Sequence, residues 1–346
     1  MLSKKVTGGD FIKTIILAGG TGERFWPLST PDKPKQFLNL FGNKSLIRQT
    51  FERLATFLKP QDIFIVTLEK FVQKIHEEIP EIPYQNIISE PMKRNTAPAC
   101  LLGTLYIGLG ETIVTLPADH FIPDKKKFWE TLEKAAKGVE KYRRLFTIGI
   151  KPTRPETGYG YIEIEREIED GIFSVKKFRE KPDYETAMEF VEKGTFYWNS
   201  GIFIWKGIDL VEEMKKYAKE IYEKLANVDV RNIKELRKVY ENIEGVSIDY
   251  AVLEKSCNIM MVKGEFEWSD IGNWVSVREI EGYSIEKDNL ILVDSEKVFV
   301  KGVKKRIAIV GLEDVIVVEG DEGILILKES HVHEVRKVVR KIYGDD

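Results

Sequence analysis

Thr14-Ile15-Ile16-Leu17-Ala18-Gly19-Gly20-Thr21-Gly22 is the stretch that decides the fold. Its first half is a short, uninterrupted apolar run, and its second half is a glycine-rich loop. A run with no polar alternation reads as a strand covered on both faces. Glycines directly after it let the chain turn sharply. The same unit then recurs. Leu46–Leu58 has the periodicity of an amphipathic helix, Ile63–Thr67 is a second buried strand, and Phe71–Glu78 is a second helix. Ile87-Ile88 follows as a strand, then the helix Ala97–Leu109 entered through Pro98, the strand Thr112–Leu116, the helix Phe128–Tyr142 and the strand Leu145–Ile150. Strands alternating with helices, each strand apolar throughout, specify an α/β, doubly wound, mainly parallel (Rossmann-like) sheet.

Beyond this the pattern loosens. Gly160–Glu165, Ile172–Phe178 and Gly201–Trp205 read as strands, and Leu210–Ala226 and Ile233–Asn242 as helices. After Asn289 the chain becomes a string of short Val/Ile strands (Leu290–Val293, Val298–Val300, Ile307–Val310, Val315–Val318, Ile324–Leu327) with Gly302, Gly311, Gly320 and Gly323 between them. That is a small all-β module, closed by a helix over Glu329–Tyr343. The expected organisation is a larger domain over 12–283 and a C-terminal module over 284–346, with the boundary near Tyr283–Asp288.

Composition removes several classes. With 53 basic and 56 acidic residues the net charge is −3, which does not suit a bulk nucleic-acid binder. An anionic ligand must therefore be held by local groups. Cys100 and Cys257 are spaced for neither a disulfide framework nor a CxxC site and read as buried thiols. No apolar run reaches membrane-spanning length, and Met1–Asp10 has no secretory pattern, so a cytoplasmic protein is expected. His331-x-His333, Lys125-Lys126-Lys127 and Lys304-Lys305-Arg306 read as surface features.

The chemistry concentrates around the glycine loop. Successive N–H groups of Gly19, Gly20, Thr21 and Gly22 suit phosphate oxygens, and Arg24 adds a planar fork of donors. The spacing is neither G-x-x-x-x-G-K-[ST] nor G-x-G-x-x-G. Instead, Pro27 and then Lys33-Pro34-Lys35-Gln36-Phe37 follow, a loop that presents positive charge beside the glycines. Asp119 ends a buried strand at its carboxyl end, where open α/β sheets place their ligands.

Gly19–Leu28 followed by Pro34-Lys35-Gln36-Phe37 resembles the signature of the sugar-nucleotide pyrophosphorylases. Further matches arrive in order. Glu90-Pro91 with Arg94-Asn95-Thr96-Ala97-Pro98-Ala99 is similar to the base loop of the mannose-1-phosphate guanylyltransferases. Pro117-Ala118-Asp119-His120 and Trp268-Ser269-Asp270-Ile271-Gly272-Asn273-Trp274 resemble their metal-binding segments. Thr157–Ile162, Glu180-Lys181-Pro182 and Trp198-Asn199-Ser200-Gly201 resemble their sugar-binding segments.

The resemblance implies transfer of GMP from GTP to mannose 1-phosphate. It implies catalytic roles for Arg24, Lys35 and Lys181, and nucleotide contacts from Gly19, Gly20, Thr21, Gly22, Glu90, Asn95, Thr96 and Ala97. Sugar contacts fall to Gly160, Glu180 and Asn199, and Mg²⁺ to Asp119 and Asp270, with His120 structural. The tail resembles a left-handed β-helix, through which a homodimer is expected. Bifunctional relatives continue into an isomerase domain, for which Asp346 leaves no room, so isomerase activity is not expected. Two alternatives stay open: a glucose-1-phosphate uridylyl- or thymidylyltransferase, and an inactive nucleotide-sugar-binding regulator.

Overall fold

The computed structural model describes residues 11–20, 22–286 and 289–344. Met1–Asp10, Thr21 and the last two residues of the expected boundary segment lie outside them. The chain divides into two compact units. Among the described residues, one takes in those up to Gly19, Thr50–Ala118 and Ile122–Trp268; the other takes in those from Gly20 to Gln49, Asp119–Phe121 and those from Ser269 onward.

The first unit is built on one nine-stranded sheet. Its strands are β1 (Ile12–Ala18), β2 (Ile63–Leu68), β3 (Ile87–Glu90), β4 (Thr112–Pro117), β5 (Leu145–Ile150), β6 (Tyr161–Glu169), β7 (Ile172–Arg179), β8 (Phe196–Lys206) and β9 (Ile259–Gly264). They lie in the order β3-β2-β1-β4-β8-β5-β9-β7-β6. The alternating strands of the sequence pattern pair parallel, β2 with β1 and β3, β1 with β4. The helices α1 (Leu46–Ala55), α2 (Val72–Glu78), α3 (Thr96–Ile107) and α4 (Lys125–Tyr142) fall between or after them. The sheet as a whole is mixed. β8 lies antiparallel between β4 and β5, β6 and β7 form a hairpin, and only β9 restores a parallel partner to β5.

One strand departs from its sequence pattern. β8 runs for 11 residues because Asn199-Ser200-Gly201, polar enough to look like a loop, lies within it. Gly201 takes φ 70° there, and the register against β5 shifts between Thr147 and Gly149, so the strand bulges where Asn199 faces Thr147. β9 follows Cys257, which is exposed, whereas Cys100 is buried; the expectation of two buried thiols holds for one. The helix expected over Leu210–Ala226 is broken at Ala218 (φ −134°, ψ 44°), giving α6 (Gly207–Tyr217) and α7 (Lys219–Ala226) after α5 (Tyr184–Lys193). No Gly or Pro marks the break. α8 (Ile233–Glu241) completes the layer. The core gathers Ile15, Val66, Leu101, Ile113, Trp205 and Met261, all essentially free of solvent.

In the second unit the glycine-loop segment packs with the C-terminal residues. Phe25, Trp26, Leu38 and Leu40 share one core with Ile271, Trp274 and Val277 of α9 (Trp274–Glu281) and its approach, and with Phe299, Ile316, Val318 and Val335. Trp274 is fully buried, sits edge-on to Phe25 at 5.3 Å and donates its indole N–H to the Trp26 carbonyl at 3.1 Å. The tail forms β10 (Leu290–Val293), β11 (Glu296–Lys301), β12 (Ile307–Val310), β13 (Glu313–Gly320) and β14 (Gly323–Lys328), then α10 (Val335–Tyr343) after a short 3-10 turn. β10 pairs parallel with β12 and β11 with β13, Leu290 opposite Ile307 and Glu296 opposite Glu313. Each partner is one coil further along, so this is β-helix-like. Left-handed residues recur in step, Asp294 with Gly311 and Lys297 with Asp314. At Gly302 (φ 78°) a Cβ would come within 2.3 Å of the Glu319 carbonyl oxygen one coil on, so only glycine fits.

Trp274→Ala removes a filled volume and a buried hydrogen bond together. It should cost about 3–5 kcal/mol, read from urea unfolding followed by circular dichroism; a loss below about 1 kcal/mol would mean that this core reorganises around the gap.

Candidate active site

The second unit brings together four of the expected catalytic and metal residues. Gly22 is left-handed (φ 69°) and opens a 3-10 turn over Glu23–Phe25. A Cβ on Gly22 would lie 2.5 Å from both the Cβ and the backbone nitrogen of Lys35, so this glycine lets the lysine loop close over the turn. Lys35 is itself in a 3-10 turn after Pro34 and is 7% exposed. Its ammonium donates to the Asp270 backbone carbonyl at 2.6 Å, pairs with Asp119 Oδ2 at 2.8 Å and lies 5.4 Å above the Phe25 ring.

The two aspartate segments are joined by an antiparallel bridge. Phe121 N–H donates to Ser269 O at 2.9 Å and Ser269 N–H to Phe121 O at 3.1 Å. Ile271, fully buried, is left-handed at φ 49°, a costly conformation for a β-branched residue, and it directly follows Asp270. A Cβ on Gly272 would sit 3.3 Å from Asp270 Oδ1 and 3.7 Å from Arg24 Nη1, so Arg24 and Asp270 flank the same glycine. Burial by itself would raise the Asp119 pKa, but Lys35, with His120 behind it, more than offsets this and holds the carboxyl below its usual range. Gly20 has open space where a side chain would stand.

Among the described residues no group of three or more His, Cys, Asp or Glu side chains is placed to hold a metal. Asp119 and Asp270 are instead a sparse, all-oxygen donor set. That suits a hard cation that keeps its waters and takes phosphate oxygens, so the residues fit Mg²⁺ bound together with a substrate. Members of the nucleotidyltransferase family generally use a divalent metal.

The first unit holds the residues expected for the base loop and the sugar segments. Glu90 ends β3 and is 4% exposed. The Tyr240 hydroxyl donates to its Oε1 at 3.1 Å, and its Oε2 lies 3.6 Å from where a Cβ on Gly19 would be. Burial pushes the Glu90 pKa up to about 8, the Tyr240 hydrogen bond opposing only in part. Asn95 (φ 66°) caps α3, its side chain accepting from Thr96 N–H at 2.8 Å. Thr96 Oγ1 accepts from Ile248 N–H at 2.9 Å and Ala97 N–H donates to Val246 O at 3.1 Å. Both groups are thus committed to the Val246–Ile248 segment. Arg94 is structural: its Nε donates to the Tyr240 carbonyl at 2.7 Å.

Gly160, Glu180, Lys181 and Asn199 converge as well. Gly160 O accepts from Asn199 N–H at 2.8 Å. A Cβ on Gly160 would fall 2.4 Å from Glu180 Oε2, so the missing side chain makes room for the Glu180 carboxylate. Lys181, left-handed at φ 45°, pairs with Glu180 Oε1 at 3.0 Å, while Glu180 Oε2 is buried with no hydrogen-bond partner. Burial raises the Glu180 pKa, Lys181 opposing and Glu254 adding. Asn199 Oδ1 accepts from Thr147 Oγ1 at 2.9 Å, and Asn199 Nδ2 donates to Asp249 Oδ1 at 2.9 Å. Burial, then Glu180, pushes Asp249 up to about 7. Tyr159 and Tyr161 fill space: Tyr159 sits edge-on to Trp198 and Trp268, each at 5.2 Å, and Tyr161 is wholly buried.

Asp249, Thr147, Glu254 and Tyr240 do not stand out in the sequence. The available signal was Ser247-Ile248-Asp249-Tyr250-Ala251, an acid set among apolar residues; it forms a π-helical turn over Asp249–Leu253, a geometry frequent at functional sites.

With the geometry in hand, the chain belongs to the nucleotidyl transferase family, whose model matches residues 13–286; a MannoseP isomerase/GMP-like beta-helix domain matches 288–342. It is 34% identical over 351 residues to the alginate biosynthesis protein AlgA of Pseudomonas aeruginosa, covering 95% of this chain and 71% of that protein. It is 33% identical over 355 residues to mannose-1-phosphate guanylyltransferase 2 of Escherichia coli O157:H7, covering 96% and 73%. Among solved structures, the mannose-1-phosphate geranyltransferase of Thermus thermophilus superposes with a TM-score of 0.86 at 30% identity, covering 96% of this chain and 99% of that one. The activity class is nucleotidyl transfer with a sugar 1-phosphate.

Glu90 makes a pH-dependent contribution with a definite sign. Its pKa is higher folded than unfolded, so the folded state is favoured below the ordinary carboxyl range and loses that advantage as pH rises toward about 8. Urea titrations at pH 4.5 and pH 8 should show Glu90→Gln gaining on the parent by more than about 1 kcal/mol. An unchanged gap would mean that folding leaves the Glu90 pKa unshifted.

Proposed function

We propose that this enzyme transfers GMP from GTP to mannose 1-phosphate, releasing pyrophosphate. The observation that carries the reading is the Lys35 ammonium, held between the Asp119 carboxylate and the Asp270 carbonyl. A buried cation held between a carboxylate and the backbone carbonyl of an aspartate from a distant segment is an arrangement for gathering phosphates. A phosphate oxygen of the sugar phosphate attacks the α-phosphorus of GTP; that P–O bond forms as the bond to the β-phosphate oxygen breaks, and pyrophosphate leaves in line. The attacking oxygen is already ionised at neutral pH, so no general base is needed, and catalysis rests on positioning and on charge.

The amides of Gly19–Gly22 and the Arg24 guanidinium hold the triphosphate. Lys35 neutralises charge that develops on the reacting phosphates, and Lys181 aims the sugar phosphate. Mg²⁺ held by Asp119 and Asp270 would supply electrostatic stabilisation of those phosphates.

Glu90 supports the choice of guanine. Its buried carboxyl has one donor, Tyr240. The guanine edge offers two adjacent N–H donors that a carboxylate can accept together, and uracil or thymine offers one between two carbonyls. Asn95, Thr96 and Ala97 shape the same end of the site. For the hexose, Glu180 Oε2 is a buried acceptor without a partner, set beside Gly160 and Asn199.

We assign the enzyme to the cytoplasm and to a homodimer. No helix among the described residues is long and apolar enough to cross a membrane. In the C-terminal module Val293 and Val310 are paired neighbours and exposed, and Ile291 and Leu312 are exposed too. A two-stranded sheet with an open apolar face is unusual on a monomer, and a second copy would cover it.

Pyrophosphate release with Mg²⁺ should peak for GTP with mannose 1-phosphate across four nucleoside triphosphates and several hexose 1-phosphates. A maximum for UTP or dTTP with glucose 1-phosphate would overturn the base and sugar, and no release from folded protein would favour a binding role. Lys35→Ala should cut that turnover by roughly 100-fold or more, the scale of one lost transition-state contact. Sedimentation at micromolar concentration should give a dimer, and a monomer there would refute the face-to-face pairing.

A further inference from the structure

An asparagine amide has nearly the same shape in its two flipped states, so its partners decide which end is a donor. At Asn199 the Gly201 N–H and the Asp249 carboxylate decide, and the Thr147 hydroxyl is compatible with them. Thr147 Oγ1 donates to Oδ1 at 2.9 Å, and the Gly201 backbone N–H, which can only donate, faces the same oxygen at 3.3 Å. Asp249 Oδ1 accepts from Nδ2 at 2.9 Å. The oxygen is fully used, and one N–H remains. Asn199 thus offers a ligand a single donor, beside the acceptor Glu180 Oε2.

Asp249 comes at a cost. Burial raises the pKa of its carboxyl, and repulsion from the nearby Glu180 raises it further. A costly acid beside a proposed ligand group marks a functional position. The turn that carries it also reaches Glu180, whose backbone N–H donates to Glu254 Oε1 at 2.7 Å. One step before Asp249, Ile248 N–H donates to Thr96 Oγ1 at 2.9 Å. A single short segment therefore anchors both sugar-reading residues and the start of α3.

We propose that Asp249, assisted by Thr147, is a positioning residue that fixes the Asn199 amide with its N–H outward, and that this orientation sets selectivity between hexose epimers. The proposal rests on Asn199 contacting the hexose, as argued above. With the amide locked, the site presents a donor from Asn199 and an acceptor from Glu180, in that order. A hydroxyl of the wrong configuration then meets a mismatched group. With the amide free to flip, either order is available and discrimination falls.

The test uses the full chain with whichever nucleoside triphosphate it turns over best, and compares mannose 1-phosphate with its C2 epimer glucose 1-phosphate. Asp249→Ala should raise KM for the preferred sugar phosphate about 10-fold and lower the epimer ratio of kcat/KM about 10-fold, the scale of one mismatched polar contact. KM for the nucleotide should stay within about 2-fold, a change under 0.5 kcal/mol. Asp249→Asn, which retains an acceptor oxygen, should recover most of the ratio.

Equal losses for both epimers, with the ratio unchanged, would overturn the proposal, as would an Asp249→Asn variant no better than Asp249→Ala. Should Asp249→Ala fail to fold by circular dichroism, Thr147→Val must show the same fall in ratio, and an unchanged ratio there is equally decisive against it. A wild-type preference for another base or sugar would refute the functional reading alone, because the epimer ratio is still measured on the pair used.

Discussion

The buried ammonium of Lys35 is the interaction on which the arrangement of the second unit depends. A lysine that is 7% exposed must be compensated, because an unpaired buried charge costs several kcal/mol. Compensation comes from the Asp119 carboxylate and the Asp270 carbonyl, the latter 235 residues away in sequence. One charge therefore gathers the glycine loop, the end of the β4 segment and the chain leading into α9. Gly22 is needed for the same closure, since any larger residue would collide with Lys35. The strained Ile271 is held where burial over-determines it, beside Asp270.

In the first unit, buried acids do the complementary work. Glu90, Glu180 and Asp249 all have raised pKa values, in each case chiefly because burial disfavours the charged form. Such groups lower stability as they ionise and are retained where a ligand supplies the missing donors. These acids stand at the end of β3, directly after β7 and in the turn after Val246.

Much of this was legible from the chain. The parallel strands announced themselves by unbroken apolar runs, the turn at Gly22 by its glycine, and Asp119 by its place at a strand end. What stayed hidden is long-range. β8 concealed itself because Asn199-Ser200-Gly201 lowers its apolar content in the middle of a strand, although a bulge is where such residues belong. The break at Ala218 has no local marker. Asp249 reads as an ordinary acid until Asn199 is set against it. The linear boundary near Tyr283 follows composition, whereas the compact units group 20–49 with the C-terminal residues, a pairing that no local pattern encodes. Thr96 and Ala97 were legible as a motif but not as groups committed to Val246 and Ile248.

The C-terminal coil has a consequence for how this part of the chain can change in length. Its partners and its left-handed corners recur at a fixed interval, Leu290 to Ile307, Asp294 to Gly311, Glu296 to Glu313, Lys297 to Asp314. Adding or deleting one residue would throw every later rung out of register and drive a side chain into the contact that Gly302 keeps open. Adding one whole period would leave each rung on an equivalent neighbour. Growth in this module is therefore quantised, and the unit of evolutionary or engineered extension is the complete turn.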